Sequence, residues 1–213
     1  MSGDKRFRKT PRQERSRSTV EALLEATARA IGAEGPANAT TQQIAHIAGV
    51  SIGSLYQYFP GKEALFGALI ERAIEEDLEA IRKAVDASRG LPFGEGARLV
   101  LARVLDLPMK RPRLYAWMIR YLPELGLLPA IQGAVRESAR ETRRFLEIHK
   151  GDLPSADLDA MALLTVGAVR GALEAVARER PELLEHESLL DHMADLTLGL
   201  LDRTAARAAG TKS

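Results

Sequence analysis

Apolar residues along this chain recur at spacings of three and four, the period of an α-helix. Val20, Leu23, Leu24, Thr27 and Ile31 share one face of a first helix, which Ser18 with Glu21 is placed to cap and which Gly35 and Pro36 end. A short second helix carries Ile44, Ala45, Ile47 and Ala48, opened by a capping box of Thr40 and Gln43. Gly49 then supplies the positive φ that a tight turn between two helices demands. Ala45 sits where the crossing helices come close, and Val50 and Leu55 fill the angle between them. Ser51 caps the third helix and Pro60, which has no N–H to donate, stops it. A long fourth helix starts at Lys62 and runs to about Ala87, with Leu65, Leu69, Ile74, Leu78, Ile81 and Val85 inward.

After a break at Arg89, Gly90, Leu91 and Pro92, the pattern predicts helices near 94–107, 111–122, 126–149, 155–179 and 186–207. Their separators are Pro108, Pro112, Pro123, the segment 151–154 and Pro181. The expected fold class is all-α, with about nine helices and no strand. A basic arm (1–17) precedes a three-helix helix-turn-helix domain (18–66), a larger helical domain (67–207) and a short tail (208–213).

Composition narrows this further. The 213 residues are 46% hydrophobic and only 5% aromatic, enough apolar material for a substantial core and a balance that favours helices over sheets. The absence of cysteine excludes disulfides, thiolate nucleophiles and Cys-ligated metals. The longest strongly apolar run, 160–169, is closed by Asp159 and Arg170 and is too short to span a bilayer; the N-terminus has no apolar h-region. A cytoplasmic chain with no membrane segment is expected. The net charge of +1 conceals an asymmetry, because residues 1–20 carry +5 and the remainder −4. A basic arm before a helix-turn-helix is what phosphate neutralisation requires.

The run from Thr40 to Phe66 resembles the DNA-binding domain of TetR-family transcriptional regulators. The resemblance is carried by the threonine-capped helix, the turn from Ala45 to Ser51, the recognition helix from Leu55 to Phe59, and Lys62 to Leu65 opening the next helix. It implies a dimeric, sequence-specific DNA reader, usually a repressor that a small molecule releases from a near-palindromic double-stranded operator. Lys62 would hold a phosphate at a helix start, with Gly61 in place of the usual serine-like cap. Thr40 and Thr41 would offer hydroxyls to the DNA backbone, and Tyr56 and Tyr58 would place theirs on phosphate oxygens. Gln57 suits an adenine edge, and Ser51, Gly53 and Ser54 lie where the helix approaches the bases. Ile52 stands where many members have a basic residue, losing one backbone contact or replacing it with thymine-methyl packing.

A short recognition helix touches too few bases to select one genomic site, so two copies are needed, with half-sites about one DNA turn (~34 Å) apart. The last two helices are the expected dimer contact. One stripe is Leu158, Met161, Thr165, Ala168 and Ala172 with small residues Gly167 and Gly171; the other is Leu189, Met193, Leu196 and Leu200. Both stripes would equally suit an internal core. Tyr115, Trp117, Met118 and Tyr121, with Phe93, Met109 and Phe145, are the expected lining for a small apolar or amphipathic ligand, although helical stripes of this kind are often plain core. Arg113, Arg120 and His149 would select an anionic ligand. The alternative is that the C-terminal helices only dimerise or dock a protein. No zinc-protease, nucleophile-elbow or dinucleotide-binding motif occurs, so neither enzyme activity, cofactor nor metal is expected.

Overall fold

The computed structural model describes residues 14–121, 124–152 and 157–210. They form ten α-helices: α1 (Glu14–Glu34), α2 (Thr41–Ile47), α3 (Ile52–Tyr58), α4 (Lys62–Ala87), α5 (Phe93–Val104), α6 (Asp106–Lys110), α7 (Pro112–Tyr121), α8 (Leu128–Ile148), α9 (Leu158–Glu179) and α10 (Leu189–Gly210). Short 3₁₀ turns at Lys150–Asp152 and Pro181–Glu185 complete the set, and there is no strand among the described residues. The fold is all-α, as expected, but with one helix more than the pattern suggests. The extra helix is α6, which contains Pro108. Proline at the third position of a helix removes an N–H that has no partner in the first turn, so it does not separate elements there. α1 also begins a turn before Ser18, which therefore lies inside it and is not its cap. Of the expected basic arm, residues 1–13 lie outside the described residues and 14–17 are helical; residues 211–213 of the tail also lie outside.

The chain divides into two compact units, the first reaching Ala73 and including Arg120–Leu127, the second comprising Ile74–Ile119 and the residues from Leu128 onward. The division falls within α4, which is one continuous helix.

In the first unit, α1 packs on α2 and α2 on α3. Leu23, Leu24 and Ile31 from α1, Ile44 and Ala45 from α2, Leu55 from α3, then Phe59, and Leu65, Leu69 and Ile70 from α4 are all buried. Thr27 is buried among them because its hydroxyl donates to the Leu23 carbonyl at 2.7 Å, which satisfies it within the helix.

The second unit has two apolar clusters. One joins Leu101, Leu105, Val169, Leu173, Leu184 and Met193; the other joins Ile81, Val85, Phe145, Leu146, Met161 and Leu201, and Val104 packs against both. α8 lies along α9, and Arg144, braced within α8 by Glu141 at 2.7 Å, ties α8 to the end of α4 by a 2.7 Å ion pair to Asp86 and a 3.2 Å bond to the Arg82 carbonyl. α5 meets the ends of α4 and α8 at Gly96, where a Cβ would sit 3.1 Å from Phe145 and 3.2 Å from both His149 and Ser88.

Candidate nucleic-acid interface

The angle between α2 and α3 is set by local chemistry. Gly49 has φ of 69°, a conformation that a side chain disfavours, and the Val50 N–H closes the turn on the Ala45 carbonyl at 3.0 Å. Thr40 caps α2 by accepting from the Gln43 N–H at 3.2 Å, and Ser51 caps α3 by accepting from the Ser54 N–H at 3.1 Å. The expected capping box is only half made. The Gln43 amide does not turn back to Thr40; it donates to Glu34 Oε1 at 2.7 Å and so ties α2 to the end of α1.

The two tyrosines of α3 have different environments. Tyr56 is 41% exposed, and its hydroxyl shares a 3.1 Å hydrogen bond with that of Thr41 at the start of α2. Tyr58 is buried, and its hydroxyl donates to Ser16 of α1 at 3.2 Å. The expectation that both hydroxyls meet DNA phosphates therefore needs correcting for Tyr58, which belongs to the head's interior in this structure. Its spacing carries the reason: Leu55, Tyr58 and Phe59 stand at i, i+3 and i+4 on the inward stripe, whereas Tyr56 is about 100° round the helix.

What α3 presents outward is Ile52, Gly53, Tyr56 and Gln57, with Ser51 exposed beside them and Ser54 half-buried. Ile52 is 38% exposed, and no Lys or Arg occurs on α3. Thr41 is half-buried, Gln42 and His46 are exposed on α2, and Lys62 is the first residue of α4. The unpaired N–H groups at the start of the 26-residue α4, with Lys62 among them, favour an anion by both dipole and charge. Residues 14–66 hold four basic and five acidic side chains, so the positive charge of the N-terminal third lies mainly ahead of residue 14.

The residues expected to line a ligand site fall in several places. Tyr121 is half-buried and belongs to the first unit, the other six to the second. Met109 and Tyr115 pack against the Leu101–Leu105–Val169–Leu173 cluster. Phe93 and Phe145 instead surround the buried His149, with ring centroids 5.6 Å apart and 5.9 Å and 4.6 Å from the imidazole. His149 Nε2 lies 3.4 Å from Ser88 Oγ, whose hydroxyl donates to the Val85 carbonyl at 2.8 Å. Trp117 and Met118 are buried.

One polar group of the second unit, Asp77, was not singled out from the sequence. Asp77 on α4 is raised from 3.8 to about 7, by burial first and then by the charges of Glu76 and Asp106. Tyr115 is pushed up by burial, then by the Asp77 carboxylate, with Glu174 adding and Arg170 opposing. Thr165 on α9 is buried, and its hydroxyl has no hydrogen-bond partner among the described residues.

The dimer stripes also need correcting. Met161, Thr165, Leu189 and Met193 are buried within their own unit. The exposed apolar positions are Leu163 (58%) and Leu164 (60%) on α9 and Leu196 (47%) on α10, with Gly167 and Gly171 exposed on α9. By length and composition alone α9 is apolar enough to cross a membrane, with a mean hydropathy of 1.5, because it is apolar on its outer as well as its inner face.

Comparison with known proteins agrees with this architecture. Residues 23–69 match the family described as bacterial regulatory proteins, tetR family, and residues 92–201 match the tetracyclin repressor-like C-terminal domain. The nucleoid occlusion factor SlmA of Vibrio atlanticus is 27% identical over 177 residues, covering 80% of this chain and 86% of that protein. The HTH-type transcriptional regulator BetI of Brucella anthropi is 27% identical over 143 residues, 67% of each. A TetR-like transcriptional regulator from Rhodococcus sp. RHA1 superposes with a TM-score of 0.61 at 26% identity, over 88% of this chain and 96% of the other.

Proposed function

This chain belongs to the TetR family of bacterial regulatory proteins, helix-turn-helix DNA-binding regulators without enzymatic activity, and from that premise we propose that it is a dimeric repressor which a small molecule releases from its operator. The observation that carries the DNA half of this reading is the outer face of α3. It stands on a turn fixed by Gly49, with Tyr56 held to Thr41 at 3.1 Å and Lys62 at the start of the next helix. α2 crosses the phosphate backbone, α3 enters the major groove, and Lys62 with the α4 amides clamps one phosphate. Thr41, Tyr56 and Gln57 are among the side chains that meet DNA, while Thr40 and Ser51 hold the helix starts. The test is retention of fragments from a genomic DNA pool by wild type and by Lys62→Ala. Loss of one phosphate contact is expected to weaken binding of every retained site and reduce the salt slope by about one. Unchanged affinity and slope would remove Lys62 from the interface.

The second copy docks on α9 and α10 through Leu163, Leu164, Gly167, Gly171 and Leu196. Contiguous exposed leucines beside glycines favour close helix packing, and a genomic operator needs two readers. Leu164→Glu is expected to yield a monomer in sedimentation; a persistent dimer would move the interface elsewhere.

The ligand is small and apolar or amphipathic, received in the second unit beside Tyr115, Trp117 and Met118. The raised Asp77 carboxyl, whose charged neighbours are acidic, supports a polar contact there. Binding that favours one arrangement of these helices acts on DNA through α4, and ~100-fold release needs about 2.7 kcal/mol of coupling.

The likeness to SlmA over 80% of the chain favours a second reading, a nucleoid occlusion factor whose second unit meets a protein. Many retained sites spread around the genome, with no ligand that releases them, would favour it over the repressor.

A further inference from the structure

The outer face of α3 is short enough for each of its groups to be assigned. Of its seven residues, Leu55 and Tyr58 are buried, Gly53 has no side chain, and Ser54 is half-buried. The Tyr56 hydroxyl is engaged with Thr41 at 3.1 Å, and the Ser51 oxygen before the helix is engaged as its cap. Two side chains remain exposed and uncommitted, Ile52 and Gln57. Each has one natural partner in the major groove. A branched apolar side chain meets the thymine 5-methyl group, and a glutamine amide pairs with N6 and N7 of adenine. Guanine is read chiefly by arginine or lysine, and α3 has neither.

Geometry fixes their relation. Gly53 lies one turn before Gln57, so the half-buried Ser54 is the neighbouring side chain on its N-terminal side. A Cβ at Gly53 would meet nothing nearer than Ser51 Oγ at 3.9 Å, so the space in front of Gln57 is open. Ile52 and Gln57 are five residues apart, about 7.5 Å along the helix and about 140° round it, so they face different base pairs.

We propose that α3 reads each half-site through Ile52 on a thymine methyl and Gln57 on an adenine of a different base pair, with no guanine recognised by this helix. Ile52 is then a specificity determinant at a position where a basic residue would have added only backbone affinity. The inference rests on the DNA-binding reading above, and the experiment separates the two.

The site retained from the genomic pool is made as a synthetic duplex, and each thymine of one half-site is replaced in turn by uracil, which lacks only the methyl group. One replacement is expected to weaken wild-type binding about fourfold, the value of one buried methyl. The same replacement is expected to change nothing for Ile52→Ala, which is already weaker on the thymine duplex. Gln57→Ala is expected to lose about tenfold discrimination against guanine at one adenine of the same half-site. Both variants alter exposed residues, and thermal melting checks that the head stays folded. Uracil tolerated at every position, or an essential G·C pair whose recognition is lost in either variant, overturns the proposal while leaving the DNA reader intact. Retention of no fragment at any salt overturns the DNA reading, and this inference with it.

Discussion

The reading head and the second unit leave their polar groups in different conditions. In the head, the Thr27 hydroxyl reaches the Leu23 carbonyl at 2.7 Å, Tyr58 reaches Ser16 at 3.2 Å, and Thr41 and Tyr56 bond each other at 3.1 Å. In the second unit, Thr165 Oγ1 is buried without a hydrogen bond among the described residues, and Asp77 is held next to Glu76 and Asp106. Hydrogen bonds such as these hold side chains in place, which suits a surface that must match a fixed groove. Unsatisfied buried groups are costs, and a unit that carries them can gain by rearranging or by accepting a ligand. The contrast assigns fixed presentation to one part and responsiveness to the other.

Breaking the head's core should have the largest effect. Phe59 is fully buried at the end of α3. Phe59→Ala is expected to cost about 3–5 kcal/mol in denaturant unfolding of the head. A loss below about 1 kcal/mol would mean that the head is loosely packed and its surface not fixed.

That core was legible in the sequence because its determinants are local. Thr40, Gly49, Ser51 and Pro60 each act on bonds within a few residues, and the bounds of α4 follow directly from Lys62 and Ala87. Tyr58 departs from the expectation because its i+3 spacing from Leu55 puts it on the inward stripe. The second unit was harder to read for a physical reason. On α9 the inward Met161, Val169 and Leu173 and the outward Leu163 and Leu164 are equally apolar, so periodicity does not say which face the unit buries. Phe93 and Phe145 joined His149 through contacts between α5 and α8, which no local motif encodes.

The next effect is on pH dependence. The Asp77 carboxyl is raised from 3.8 to about 7 in the folded chain. Between about pH 4 and pH 7 the folded state keeps a proton that the unfolded state has released. Stability therefore falls as pH rises through that window, and the cost is fully present above it. Asp77→Asn is expected to remove this slope and to stabilise the protein at pH 8 by on the order of 2–4 kcal/mol. An unchanged stability–pH curve would show that Asp77 is well solvated, and the contrast between the units would weaken.

The two tyrosines sharpen the comparison inside the head. Tyr58→Phe is expected to lose about 1 kcal/mol of stability, the value of one hydrogen bond, with little change in DNA affinity on folded protein. Tyr56→Phe is expected to do the reverse, keeping stability and weakening DNA binding severalfold. Exchange of these two phenotypes would invert the assignment of inner and outer faces.

The smallest effect concerns Thr165. Replacing it by valine keeps the shape and removes the unpartnered hydroxyl, so Thr165→Val should gain about 1 kcal/mol in thermal or denaturant unfolding. A loss instead would mean that the hydroxyl is satisfied in solution.

The central claim is that the outer face of α3, in two copies, reads DNA. Hydroxyl-radical footprinting of a retained duplex tests it most directly, with wild type compared with Gln57→Ala. Two equal protected patches about one helical turn (~34 Å) apart, related by a dyad and both weakened in the variant, are expected. A single patch, or protection that Gln57→Ala leaves untouched, would contradict it.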